Sequence, residues 1–146
     1  LREYHHVFPD ALLQEASIDS YLALNCALVT WKTNRSIGRK DPLAYLRDRV
    51  EWSDEDTVRQ RLRTHLLDYD TLSQATYEAD GRPLEGEALT TRLRGDFDRF
   101  LEGRAALVAV AAKHLSEGRV LTLEQLLGEA QKAGADAQVA AAQLDS

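Results

Sequence analysis

The sequence predicts an α+β fold, in which a small strand, loop, strand and short-helix unit over about residues 1 to 38 is braced by a mostly helical remainder. Three observations predict it. Leu1 to Phe8 and Asn25 to Trp31 are short apolar runs with β-branched or aromatic members, as strands need. Leu93, Phe97, Phe100, Leu101, Val108, Ala111, Ala112 and Leu115 form one helical stripe from about Glu87 to Glu117. Helix start and stop signals recur between these segments.

In chain order, Pro9 removes a backbone donor where the first strand has to end. Ala11 to Ala16 fits a helical turn, and Ser17 to Ser20 carries turn and cap side chains. The second strand follows, and Lys32 to Gly38 reads as a short helix ending at its glycine. Asp41-Pro42 starts a helix with Leu43, Leu46 and Val50 at helical spacing. Ser53 with Asp56 resembles a capping box for a helix carrying Val58, Leu62, Leu66 and Leu67. Asp68 to Gly86, with Asp80-Gly81-Arg82-Pro83, is expected to be a loop holding one helical turn. After the long helix, Gly118 is its stop, Thr122 and Gln125 cap another helix, and Gly134 is expected to end that one. The alanine-rich tail is helix-prone. We expect residues 1–118 to form one domain and 119–146 a helical appendage.

The 146 residues suffice for one domain with a real core. Apolar residues make up 44% and charged residues 29%, ordinary for a soluble chain, and no apolar run approaches the roughly eighteen residues of a membrane span. The expected reading is therefore a soluble protein with no membrane association. A single cysteine, Cys26, excludes an internal disulfide framework or a cysteine-based zinc cluster and makes the cytoplasm the expected compartment. Methionine is missing even at position 1, so the chain is expected to be a piece of something longer. A net charge of -6 argues against a surface that is basic throughout, so nucleic-acid contact would need a local patch or other parts.

The candidate chemistry lies in Tyr4-His5-His6-Val7-Phe8-Pro9. Adjacent residues of a strand point to opposite faces, so His5 and His6 need a bend and a partner segment to serve one site. Taken alone, the pair has a plain structural reading. Asn25 opens the second strand and Asn34 follows nine positions later, giving the order His, Asn, Asn.

This order, with Asn34-Arg35-Ser36-Ile37-Gly38-Arg39-Lys40-Asp41-Pro42 and Tyr45-Leu46, resembles the HNH family of ββα-metal endonucleases, and more narrowly the HNH half of GmrSD-type proteins. Phe97 to Ala105 resembles the helical tail of those proteins, so the likeness covers about residues 1 to 118. It implies a metal-dependent DNA endonuclease, a hydrolase acting on phosphodiester bonds, in bacterial restriction or antiviral defence. The same likeness implies a ParB-like nucleotidase domain N-terminal to it in the full-length chain.

By position, the resemblance makes His6 the general base that takes a proton from the attacking water, a role suited to an imidazole. It makes His5 and Asn34 ligands of one divalent metal ion, and Asn25 the residue that ties the loop back or orients the base. The family usually has aspartate at the position of His5, and imidazole suits transition metals better than magnesium, which leaves Mg, Mn, Ni or Zn open. Lys32, Arg35 and Lys40 are candidate phosphate contacts in a segment where Lys32, Arg35, Arg39, Lys40, Arg47 and Arg49 face only Asp41 and Asp48. The plain alternative is that such charges solvate helix faces.

Tyr4 and Trp31 flank the site and could stack on a base, with buried packing the readier role for both. Phe8 and Cys26 read as packing residues, and His65 and His114 as helix residues without partners. Asp54, Glu55 and Asp56 suit a helix start. A catalytically silent domain that binds DNA or packs on another domain is the rival from a different class. A structural zinc site at His5 and His6 is a third reading, with an incomplete ligand set.

Overall fold

The computed structural model describes residues 2–30 and 37–144. Arg2–His6 (β1) and Cys26–Thr30 (β2) pair antiparallel, with Tyr4 opposite Leu28, His5 opposite Ala27 and His6 opposite Cys26. Asp10–Glu15 (α1) and a 3-10 turn at Ala23–Asn25 lie in the connection. Pro42–Trp52 (α2), Glu55–Arg63 (α3) and Tyr69–Ser73 (α4) follow. Glu78–Ala79 (β3) and Arg82–Pro83 (β4) form a second two-stranded antiparallel sheet before Gly86–Ser116 (α5) and Leu123–Leu144 (α6). Among the described residues the architecture is α+β, mainly helical with two small antiparallel sheets. The predicted helix over Lys32 to Gly38 falls outside the described residues except for its end, where Gly38 adopts φ +54.

The chain divides into two compact units, Leu1–Leu101 and Glu102–Ser146. The core of the first unit is aromatic at its centre. Phe8, buried at the end of β1, meets Phe97 and Phe100 of α5 at ring-centroid distances of 5.3 and 5.1 Å. Leu12, Leu13, Leu46, Leu72 and Leu93 enclose them. Aromatic pairs in such edge and tilted geometries add to plain area burial.

The starts of α2, α3 and α4 are capped by the aspartates Asp41, Asp54 and Asp68. Asp41 accepts from the Ala44 amide (2.8 Å) with one carboxylate oxygen and from the Tyr77 amide (3.2 Å) with the other, while Pro42 takes the first helical position, where no amide is needed. One side chain thus starts α2 and holds the segment leading to β3. For α3 the cap is Asp54, which accepts from Thr57 N (2.7 Å) and Oγ1 (2.8 Å), and not Ser53 as the sequence pattern suggested. Ser53 is diverted because its hydroxyl donates back to the Arg49 carbonyl (3.0 Å). The expected loop after α4 holds a two-residue hairpin, since Asp80 and Gly81 both adopt positive φ as a type I′ turn requires.

In the second unit Gly118, at φ +73, donates to Leu115 O (3.0 Å) and Arg119 donates to His114 O (2.9 Å), the paired bonds of a Schellman stop. Thr122 and Gln125 exchange the reciprocal bonds of a capping box, at 2.9 and 3.3 Å. Helix α6 continues through Gly134, because one glycine among good helix formers costs only about 1 kcal/mol.

The buried face of α5 departs from the predicted stripe beyond Leu101. Val108 and Leu115 are exposed, whereas Leu107 and His114 are buried. The spacing 93, 97, 100, 107, 114 keeps one line on the helix, from which 108 and 115 are rotated by one residue. His114 is paired after all, with Nε2 2.7 Å from Glu129 Oε2 on α6.

That hydrogen bond, aided by the neighbouring basic side chains, holds the Glu129 carboxyl below its ordinary range. A depressed carboxylate stabilises the fold above its unfolded pKa and loses that contribution as pH falls through the folded value. Glu129→Gln is therefore expected to lower the melting temperature of the wild-type chain at neutral pH. In scans from pH 7 to pH 3 the difference should close below the ordinary carboxylate range; a constant difference would contradict the linkage.

Candidate functional site

The end of the β1–β2 hairpin is built around Asn25, which is completely buried. Its backbone carbonyl accepts from Val7 N (2.7 Å), extending the ladder one step past the last residue of β1. Its side-chain Oδ1 accepts from Phe8 N (2.8 Å), and Nδ2 donates to Phe8 O and to Ser20 O, each at 3.1 Å. With two carbonyls and one amide around it, the carboxamide has only one workable orientation. A single side chain thereby satisfies both backbone groups of Phe8 and pins the long connection at Ser20. Ser20, also buried, donates its hydroxyl to Asp10 at the start of α1. The turn is thus tied at both ends of the excursion.

His6 immediately precedes this clamp. Its ring is half-buried and meets the Tyr21 ring edge-on, 5.2 Å between centroids at 85°. Tyr21 follows the clamped Ser20, and its amide donates to Asp19 Oδ1 (2.9 Å). The carboxamide of Asn25 therefore fixes both the chain after His6 and the start of the segment that flanks its ring. Tyr21 was missed in the sequence, where a lone aromatic in a polar run gives no signal of a contact with His6.

His5 points the other way, as alternation along a strand dictates. It is buried with its ring edge-on to Tyr45, 6.5 Å between centroids, and it borders a cavity shared with Ala27 and Leu46. Tyr45 of α2 donates its hydroxyl to Val7 O (2.9 Å), and burial, with the charge of Asp41 adding, pushes its phenol well above the ordinary value. A neutral phenol is the form that this bond needs. The two histidines thus occupy different environments on opposite faces of β1.

Asn34, Lys32 and Arg35 lie outside the described residues, as does Trp31. Lys40 is placed, and its ammonium is engaged by Asp48. Arg39 beside it is held by Glu15 of α1, which raises the guanidinium pKa and lowers that of the carboxyl. Tyr4 is 80% exposed, so the packing role expected for it does not apply. Its position opposite Leu28 places it on the same outer face as His6. Cys26, across from His6, donates its thiol to Leu22 O at 3.6 Å. His65 lies in the turn after α3 and not on the helix itself.

Among the described residues no group of three or more His, Cys, Asp or Glu side chains could hold a metal ion. Of the two implied ligands only His5 is placed, so the described donors make up one imidazole and not a complete coordination set. Among the described residues no helix is long and apolar enough to cross a membrane. No family model, curated protein or solved structure matches this chain.

The clamp can be tested by stability. Asn25→Ala leaves the Phe8 amide and two carbonyls without partners in a buried place, at about 1–3 kcal/mol for each group. Asn25→Asp has nearly the same shape but replaces the two donors with a carboxylate facing two carbonyls. Urea unfolding is expected to show a loss of several kcal/mol for both, with Asn25→Asp no better than alanine at neutral pH. A loss below about 1 kcal/mol for both would show that the clamp does not hold the hairpin.

Proposed function

We propose that this chain is an HNH-type, metal-dependent DNA endonuclease domain whose β1–β2 hairpin and following segment form a ββα-metal unit. The observation that carries the reading is the Asn25 clamp. A histidine followed at once by a backbone pinned through a buried asparagine of the next strand is the arrangement a positioned general base needs. The half-buried ring of His6, on the outer face of the hairpin, is open to a substrate on one side and braced by Tyr21 on the other.

In this proposal His6 takes the proton of the water that attacks a phosphodiester, and Asn25 is a positioning residue acting through the backbone. Tyr21 limits the rotation of the His6 ring. A divalent ion, when bound, would supply Lewis-acid stabilisation of the phosphate and leaving oxygen, with His5 and Asn34 as the proposed ligands; for His5 this requires its ring to leave the buried face beside Tyr45 and turn towards the side of His6. Lys32, Arg35 and Lys40 are the proposed phosphate contacts; for Lys40 this requires exchange of Asp48 for a phosphate. The wider setting proposed is bacterial restriction of phage or modified DNA in the cytoplasm, with an N-terminal nucleotidase domain as partner.

A catalytically silent domain is the second reading, and a specific observation favours it. His5, the proposed ligand, is turned into a buried site beside Tyr45, on the opposite face from His6. A fold that keeps its asparagine clamp while burying that histidine could serve in binding alone.

Nicking of supercoiled plasmid in Mg, Mn, Ni or Zn separates the two. The endonuclease reading expects cutting by the wild type in at least one ion and a loss of about 10²–10⁴-fold in His6→Ala with an unchanged circular dichroism spectrum. Equal cutting by both proteins removes His6 from the reaction. Cutting by neither, together with binding of labelled DNA, transfers the reading to the silent domain.

A further inference from the structure

The inner face of the β1–β2 hairpin, α2 and α3 line an open-mouthed cavity of about 410 Å³. Volumes of about 300–1,000 Å³ are those of small-molecule sites. Val7, Leu46, Val58 and Leu67 form the floor, all aliphatic and all buried. They come from the residue after β1, from α2, from α3 and from the segment after α3, so the cavity is a joint product of the tertiary packing.

The mouth has a different character. Arg49, Arg61, Thr64 and His65 line it, with Arg61 and Thr64 exposed and Arg49 stacked over the Trp52 ring at 4.8 Å. No carboxylate occurs among the described residues that line the cavity. This is a marked segregation in a chain with 24 acidic against 18 basic residues. A guanidinium over an aromatic ring keeps its charge, so Arg49 and Arg61 both bring positive charge to the mouth, while Asp54, outside the described lining, lies near enough for Arg61 to lower its carboxyl pKa.

From this combination we propose that the cavity is a binding site for a single-chain amphiphile with an anionic head. The tail lies on the aliphatic floor and the head meets Arg49, Arg61 and Thr64 at the mouth. A flat heterocycle fits less well, because Tyr45 is the one six-membered aromatic ring among the described lining residues and it is committed edge-on to His5. A cationic or neutral amphiphile would bury the same chain but forgo the charge at the mouth.

The test is isothermal titration calorimetry of the whole chain with decanoate, decyl phosphate and decyltrimethylammonium, each below its micellar range. The expected result is saturable one-to-one binding of at least one anion, with the cationic analogue weaker by roughly tenfold or more, since like charges at a binding site are strongly disfavoured. Preference for decyl phosphate identifies a phosphate head, and preference for decanoate a carboxylate. Arg61→Glu, at an exposed position, should weaken the anions by roughly tenfold and spare the cation, with folding checked by circular dichroism. Val58→Phe, which fills the floor, should weaken every chain-bearing ligand. The proposal is overturned if neither anion saturates, if decyltrimethylammonium binds as tightly, or if Arg61→Glu leaves anion affinity unchanged.

Discussion

The three side-chain hydrogen bonds of Asn25 are the constraint on which the N-terminal unit depends. The two-stranded ladder joins strands separated by a connection far longer than a hairpin turn, and a pair of short strands alone is marginal in water. Asn25 closes that connection from within, taking both backbone groups of Phe8 and the Ser20 carbonyl. Because these groups are buried, no water can replace the amide at equal cost, and the interaction is worth more than its bond count suggests.

What the clamp positions has two sides. On the inner side it delivers Phe8 to Phe97 and Phe100, so the hairpin is anchored by the same step that ends β1. On the outer side it fixes the chain around His6 and Tyr21. Strand alternation then sends His5 inward to Tyr45, whose hydroxyl returns to the Val7 carbonyl. Packing and candidate chemistry are therefore coupled through residues 5 to 8, and a change that loosens one loosens the other.

Part of the positive charge in this unit is committed to structure. Arg39 joins Glu15, Lys40 joins Asp48, and Arg59 joins Glu55 and Asp70 while lying over the Tyr69 ring. The basic segment that looked available in sequence is thus partly used to hold α1 and α2, through Arg39 and Lys40, while Arg59 of α3 ties α4. Such exposed pairs are individually weak, so they remain exchangeable for a stronger anion.

Local rules determined much of the fold from sequence alone. Strand propensity placed β1 and β2, proline and aspartate marked the start of α2, and Gly118 with Thr122 and Gln125 defined the break between α5 and α6. These features depend on a few neighbouring residues, which is why they were legible. Sequence also singled out His5, His6 and Asn25 as worth examining. Tertiary structure alone decided the rest. Ser53 lost the cap of α3 to Asp54 because its hydroxyl had a nearer acceptor, and His114 found Glu129 fifteen residues away. The buried line of α5 runs on past Phe100 to Leu107 and His114, and not to Val108 and Leu115, because burial follows the partner surface and not the apolar residue nearest to the pattern. The partners of Asn25, the ring beside His6 and the cavity beside His5 are likewise set by groups that meet only when distant segments fold together, and no local pattern encodes them.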